Sequence, residues 1–182
     1  MIFDAANSRF IIFGGRYNTL RNDVWQRPLG STGIWSPVSP ANPPAPRYGH
    51  SAVYDPVRGR MIVFAGTVNG TAHFNNVFSL SLGATPTWTT LSTQGTAPTP
   101  RYGHSAVYDP VRDRMLVFGG YNNSGFFVAD VWSLSFTTSP ATWSQLTTSG
   151  GPPAGRMHHL AIFDTAHDQM VVYGGYAQPT YF

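Results

Sequence analysis

The sequence predicts an all-β protein assembled from repeated four-stranded antiparallel sheets set side by side in a radial array. Three observations carry this. A thirteen-residue phrase, Pro46-Arg47-Tyr48-Gly49-His50-Ser51-Ala52-Val53-Tyr54-Asp55-Pro56-Val57-Arg58, returns unchanged at Pro100 to Arg112. A third, altered copy runs from Gly155 to Asp164, so successive copies lie 54 and 55 residues apart. A period near 50 residues is that of a radial array of small sheets. Nothing in the chain shows helical periodicity over eleven residues.

Each unit repeats the same parts in order. An alternating run comes first, His50 to Asp55, His104 to Asp109 and His159 to Asp164, and Met1 to Asp4 fits its tail. Alternation of period two marks a strand with two different faces. A tight turn follows, where Asp bonds backbone two residues on and Pro56 or Pro110 presets φ. The second strand is a continuous apolar run: Phe10 to Phe13, Met61 to Phe64, Met115 to Phe118 and Met170 to Tyr173. Such a run marks a strand covered on both faces. It ends ten residues after the Asp in all four units, at Gly14-Gly15, Ala65-Gly66, Gly119-Gly120 and Gly174-Gly175. Glycine gives the backbone freedom needed to leave a buried strand sharply. A Gly- and Asn-rich loop then leads to a third run at Asp23-Val24-Trp25, Asn76 to Leu80 and Asp130 to Leu134. The fourth strand centres on Trp35, Trp88 or Trp143, and a Pro-rich connector closes the unit. By position, these three Trp with Trp25 and Trp132 belong to the cores of the sheets.

The double glycine, the aromatic of the third strand and the Trp of the fourth resemble the Kelch repeat, and the resemblance covers essentially the whole chain. It implies a Kelch-type β-propeller. About three and a half blades are present: blade 1 at 1–45, blade 2 at 46–99, blade 3 at 100–154 and part of blade 4 at 155–182, within a six- or seven-bladed ring. An open arc exposes apolar faces. The missing blades are expected from the same longer chain or from a second copy. Closure of the chain alone as a small four-bladed ring is the third reading. The long PRYGHSAVYDP form resembles a bacterial, often secreted, branch of the family. With the low charge and the Ser, Thr, Asn and Gly content, that implies an extracellular or periplasmic domain.

Composition narrows the chemistry. The 182 residues contain no Cys, no Lys and no Glu; eleven Arg and eight Asp leave a net charge of +3. Thiolate metal sites, disulfides and Cys nucleophiles are thereby excluded within the segment. No basic run supports nucleic-acid binding, and no long apolar run supports membrane insertion. No Ser-His-Asp, phosphate-loop or HExxH pattern occurs. The chain is therefore read as a non-catalytic scaffold with no cofactor and no metal. The alternative is a fragment of a propeller enzyme, of oxidase or sugar-mutarotase type, whose catalytic residues lie outside the segment.

By the resemblance, the connectors into the first strand and the loops after the second share one face at the mouth of the central channel. The expected ligand there is a protein segment or a glycan. Arg47, Arg101 and Arg156 stand just before the first strand of their units. A guanidinium suits a carboxylate ligand; it equally suits loop carbonyls or an aromatic ring of its own blade. Tyr17, Tyr121 and Tyr176 follow the glycine pairs and, with Phe126 and Phe127, could stack on a ligand. The repeated His50, His104 and His159 lie too far apart on packed sheets to converge on one metal, so each is expected to bond backbone or the neighbouring blade. His73, His158 and His167 have no counterparts in the repeat and are better functional candidates. Two sequons, at Asn69 and Asn122, fall in the divergent loops and suggest surface exposure.

Overall fold

The computed structural model describes residues 1–30 and 32–182. Blade 1 consists of β1 (Ile2–Asp4), β2 (Arg9–Tyr17), β3 (Thr19–Pro28) and β4 (Ser36–Val38), paired antiparallel in chain order. Blade 2 repeats this with β5 (Ser51–Asp55), β6 (Arg60–Phe64), β7 (Val77–Ser81) and β8 (Trp88–Thr90). Two short strands follow, β9 (Thr93–Gln94) and β10 (Arg101–Tyr102). Blade 3 has β11 (Ser105–Asp109), β12 (Arg114–Phe118), β14 (Val131–Ser135) and β15 (Ala141–Leu146), and β13 (Tyr121–Asn122) pairs with β10 above it. β9 adds in parallel to the outer edge of β15. The last unit supplies β16 (Leu160–Asp164) and β17 (Gln169–Tyr173), then a small hairpin of β18 (Tyr176–Ala177) and β19 (Thr180–Tyr181).

The alternation read in the sequence becomes inter-blade packing. Ile2, Ile11, Phe13 and Val24 of blade 1 pack against Met61, Val63, Leu80 and Trp88 of blade 2. Val53, Ile62, Phe64 and Val77 of blade 2 pack against Met115, Val117, Leu134 and Trp143 of blade 3. The central apolar strand of blade 2, flanked by a blade on each side, therefore serves two cores, one on each face, which is why its run is unbroken. Trp88 lies 4.7 Å from the Phe13 ring and Trp143 lies 5.0 Å from Phe64. Phe64→Ala removes a side chain from this fully buried seam. It is expected to destabilise the protein by about 3–5 kcal/mol, read as a lower urea midpoint.

Each repeated histidine spans a seam. The His104 ring meets Phe64 edge-on at 5.1 Å, and its Nε2 lies 2.8 Å from Ser51 Oγ on the previous blade. His159 repeats this with Phe118 at 5.2 Å and Ser105 Oγ at 2.7 Å. At the far end of the first strands, Arg58 forms two bonds to the Asp113 carboxylate of the next blade, 2.9 and 2.7 Å. Arg112 grips Asp168 in the same way. The chain-neighbour Asp is used locally: Asp4, Asp55 and Asp109 accept from Arg9, Arg60 and Arg114 at 2.7–2.8 Å.

Three expectations change. The segment Arg16 to Arg21 is not a loop, because β2 and β3 continue as a hairpin turning at Asn18, whose φ is +54°. Trp35 is not a core residue: it is 40% exposed, ahead of β4. Its counterparts are buried only because a Phe of the preceding blade receives them, and no preceding blade stands beside blade 1 among the described residues. Asn122 is buried and its Oδ1 accepts from the Ser124 and Phe126 amides, whereas Asn69 is exposed. Only the first sequon lies on the surface.

Candidate functional site at the channel mouth

The site begins with the dipeptide Arg-Tyr before each first strand. In an extended segment, adjacent side chains point to opposite faces. Arg47 and Arg101 point inward and are 2% and 0% exposed. Arg101 Nη1 donates to Gly119 O at 3.0 Å and Nε to Thr99 O at 3.0 Å. Its Nη1 and Nη2 hold both oxygens of Asp130, at 2.6 and 2.9 Å. Arg47 donates to Ala65 O and Asn76 Oδ1, sandwiched by the rings of Phe74 and Phe78. Arg156, half-buried, donates to Ala154 O and Gly174 O beneath the Phe182 ring. All three arginines brace the connector to the small-residue pair after the second strand, and Arg47 and Arg101 also reach the residue that opens the third strand. Arg47 and Arg101 are thus corrected as ligand contacts, because their donors are spent on loop oxygens and their side chains do not reach the mouth. Burial pulls the Arg47 guanidinium down to about 10. Burial pushes the Asp130 carboxyl up, but Arg101 and the Trp132 indole N–H outweigh it and hold the pKa below the ordinary value.

The tyrosine after each arginine faces the other way. Tyr48 and Tyr102 lie edge-on at 6.2 Å across the blade 2–blade 3 seam. His73, from the loop after β6, lies tilted against Tyr102 at 4.7 Å and meets Tyr121 edge-on at 6.2 Å. Tyr102 meets Tyr121 at 6.0 Å. The belt continues through Phe127, 5.0 Å from Tyr121, to Tyr176 at 5.8 Å and Tyr181 at 4.8 Å. At the other end, the exposed Arg16 guanidinium lies 5.6 Å over the Tyr48 ring. His158 approaches Tyr102 edge-on at 6.0 Å.

Backbone fixes this belt. The Gly103 amide donates to Gly49 O at 2.8 Å, and the His158 amide to Gly103 O at 2.7 Å, so successive blades are stitched around the channel. Gly103 has φ +67°, and a Cβ there would sit 3.0 Å from Met157 Cβ. His158 holds the same left-handed conformation, φ +57°, with a side chain. That conformation costs an L-residue about 1 kcal/mol. The His73 amide donates to Asn123 Oδ1, tying the loop of blade 2 to that of blade 3. His73 Nδ1 is buried with no partner among the described residues. Burial lowers the pKa of His73 and raises that of Tyr102, the latter also through Tyr48 and Tyr121. Both shifts favour the uncharged forms of His73 and Tyr102, and the Arg16 cation stands at the rim of the belt.

The structure brings together Tyr121, Tyr176, Phe127, His73 and His158 from the residues named in the sequence. Tyr17 does not join them. It is exposed at the tip of the β2–β3 hairpin, and Arg16 holds the position that Tyr121 and Tyr176 hold in their blades. Tyr48 and Tyr102 were missed because their repetition assigned them to the frame. Applying the alternation of the first strand to the dipeptide before it would have placed them at the mouth. His167 lies at the opposite end of its blade, its Nδ1 2.7 Å from Asp164 Oδ2. Among the described residues, no three His, Cys, Asp or Glu side chains are grouped so as to hold a metal ion.

Residues 3–182 match the model of the KLHDC2/KLHL20/DRC7 Kelch-repeats domain. This chain belongs to the Kelch-repeat family. The Kelch segment is 30% identical to Adagio protein 3 of Arabidopsis thaliana over 95% of its own length and 28% of that protein. It is 29% identical to human host cell factor 1, over 96% of itself and 9% of that protein. The chain thus spans about a quarter or less of the curated relatives it matches. Among solved structures, YjhT superposes with a TM-score of 0.65 at 15% identity, over 88% of this chain and 47% of that one. A fungal alcohol oxidase in complex with copper gives 0.61 at 18% identity, over 84% and 32%. Both likenesses concern the propeller fold. No helix of the described residues is long and apolar enough to cross a membrane.

Proposed function

We propose that this Kelch segment is a rigid binding scaffold whose channel-mouth face holds an extended segment of a partner protein. The observation that carries this is the belt of half-buried rings from Tyr48 to Tyr176, contributed by three blades and locked by backbone bonds between them. Aromatic side chains offer large contact area at low entropic cost and dominate binding hot spots. A mouth built on stitched turns loses little freedom on binding. Most of the rings meet edge-on and none lies flat on its neighbour, so the belt presents ring edges and hydroxyl groups rather than one flat platform. That suits the alternating amides and side chains of a peptide better than a sugar face. Arg16 at the rim adds a donor pair for a carbonyl or carboxylate of the segment.

The test uses a displayed random-peptide library selected on the folded chain. Tyr121→Ala and His73→Ala are each expected to weaken the selected peptides about tenfold, with thermal melts verifying the fold. Peptides that bind both variants unchanged would remove the mouth from the reading. A glycan array run on the same protein addresses the other ligand class. There, Tyr17 and Phe126, the exposed rings at the loop tips of blades 1 and 3, are the residues to replace.

A further inference from the structure

A repeated arginine opens the second strand of each blade, at the end away from the channel mouth, and its fork is used differently in the two complete seams. Arg9 of blade 1 is saturated. Its Nε donates to Asp4 Oδ2 at 2.8 Å, Nη1 to Gln26 Oε1 at 2.7 Å and Nη2 to Leu82 O of blade 2 at 2.7 Å. Arg60 holds the same place in blade 2, and its Nε donates to Asp55 Oδ2 at 2.7 Å. Its two Nη groups have no hydrogen-bond partner among the described residues. Two sequence changes free them. Ser79 stands opposite Ile62 where Gln26 stands opposite Ile11, and serine lacks the reach of glutamine. Phe136 O, the counterpart of Leu82 O, already accepts from Arg58 Nη2 at 2.6 Å, whereas blade 1 has Asn7 in the place of Arg58.

The open fork lines a cavity of about 520 Å3 between blades 2 and 3, a size that suits a small-molecule ligand. The Arg60 side chain is only 16% exposed, so its charge is largely withdrawn from water. The Phe136 ring centroid lies 5.2 Å from its guanidinium carbon. Leu91 and Pro140 extend the apolar wall, and Ser92 and Ser139 bring hydroxyl groups. The neighbouring acids limit what fits. Asp55 and Asp113 flank Arg58, and each of their oxygens already accepts from Arg58, Arg60 or the Tyr108 hydroxyl. Arg58 and Arg60 with these two carboxylates form a neutral cluster, so a dianion meets strong repulsion from both acids. A single charge on a planar group matches the Nη pair, and the apolar wall receives the body that bears it.

We propose that this cavity is a binding site for a small monocarboxylic acid. The carboxylate accepts from the Arg60 Nη pair, the Ser92 and Ser139 hydroxyl groups donate to its oxygens or to polar groups beside them, and the body of the acid lies against Phe136, Leu91 and Pro140. The site stands at the opposite end of the blades from the aromatic belt and does not depend on the reading of the mouth.

The test titrates benzoate and glucuronate into the folded chain by calorimetry, one acid with an apolar body and one with a hydroxylated body. At least one is expected to bind one-to-one with a Kd of about 1 mM or tighter. Arg60→Gln removes the fork, and Ser92→Phe fills the cavity from an exposed position while leaving every arginine in place. Each is expected to weaken binding about tenfold or more, with thermal melts verifying the fold. Ser92→Phe decides the matter if Arg60→Gln does not fold. Absence of heat from both acids at about 20 mM, well above the expected Kd, overturns the proposal. Binding that survives Ser92→Phe places the acid elsewhere and also overturns it. So does inorganic phosphate that displaces the acid at equal concentration, because the cavity would then be a general anion patch.

Discussion

Arg101→Ala is expected to unfold or nearly unfold blade 3 rather than to act on ligand binding. The guanidinium is fully buried and donates to Thr99, Gly119 and both oxygens of Asp130. Truncation leaves the Asp130 charge and two loop carbonyls without their partner. Breaking a buried pair on one side costs about 3–5 kcal/mol, a large part of the about 5–15 kcal/mol that holds an ordinary domain together. Arg101→Lys should recover little, because an ammonium cannot span the fork of acceptors. The double variant with Asp130→Asn should be less damaged than Arg101→Ala alone, since Asn76 already fills that position in blade 2. Urea unfolding at neutral pH reads all three. A full-strength melt for Arg101→Ala would return this residue to the list of ligand contacts.

Acid is expected to open the blade seams well above the range in which carboxylates protonate. Burial lowers the pKa of His50 and His159 to about 4, with the nearby Arg47 and Arg156 charges adding to it. The fully enclosed His104 is likewise lowered well below the ordinary histidine value, again mainly by burial. A histidine whose folded pKa is depressed binds its proton more readily when unfolded. Its contribution is therefore fully present above the unfolded value near 6.5 and is lost as pH falls through the folded value. The window runs from about pH 6.5 to about pH 4. Each of His50 and His159 gives up about 2 kcal/mol across it, allowing for partial solvent screening. His104 adds a further loss in the same direction. Urea midpoints at pH 7.5, 5.5 and 4.5 should fall in step, and Ser51→Ala should leave the slope in place, because burial rather than the serine sets it. A flat profile between pH 7 and 4.5 would show that the histidines reach solvent in the folded protein.

The repeat made the architecture legible. Unbroken apolar strands flanked by alternating ones, each ended by Gly-Gly or Ala-Gly, require sheets stacked face to face. The same signal hid the site. Repetition argued that Arg-Tyr served the frame, and that holds for Arg47 and Arg101 but not for Tyr48 and Tyr102. Two adjacent residues of one extended segment serve opposite faces, and the unit-level pattern does not say which. His73 stood out by its lack of a counterpart, yet its partners Tyr102 and Tyr121 lie on another blade, about 30 and 50 residues away in sequence. Trp35 shows the converse: a core signature without the neighbour that would bury it.

Local chemistry in the chain thus decided the strands, the turns and the seams, because strand periodicity, Asp turns and glycine freedom act over a few residues. Only the tertiary structure decided which polar groups are spent inside and which are offered outside. Arg101 is consumed by Asp130 and Gly119, and Tyr102 is delivered to the mouth, because burial and pairing depend on what the next blade brings against each face.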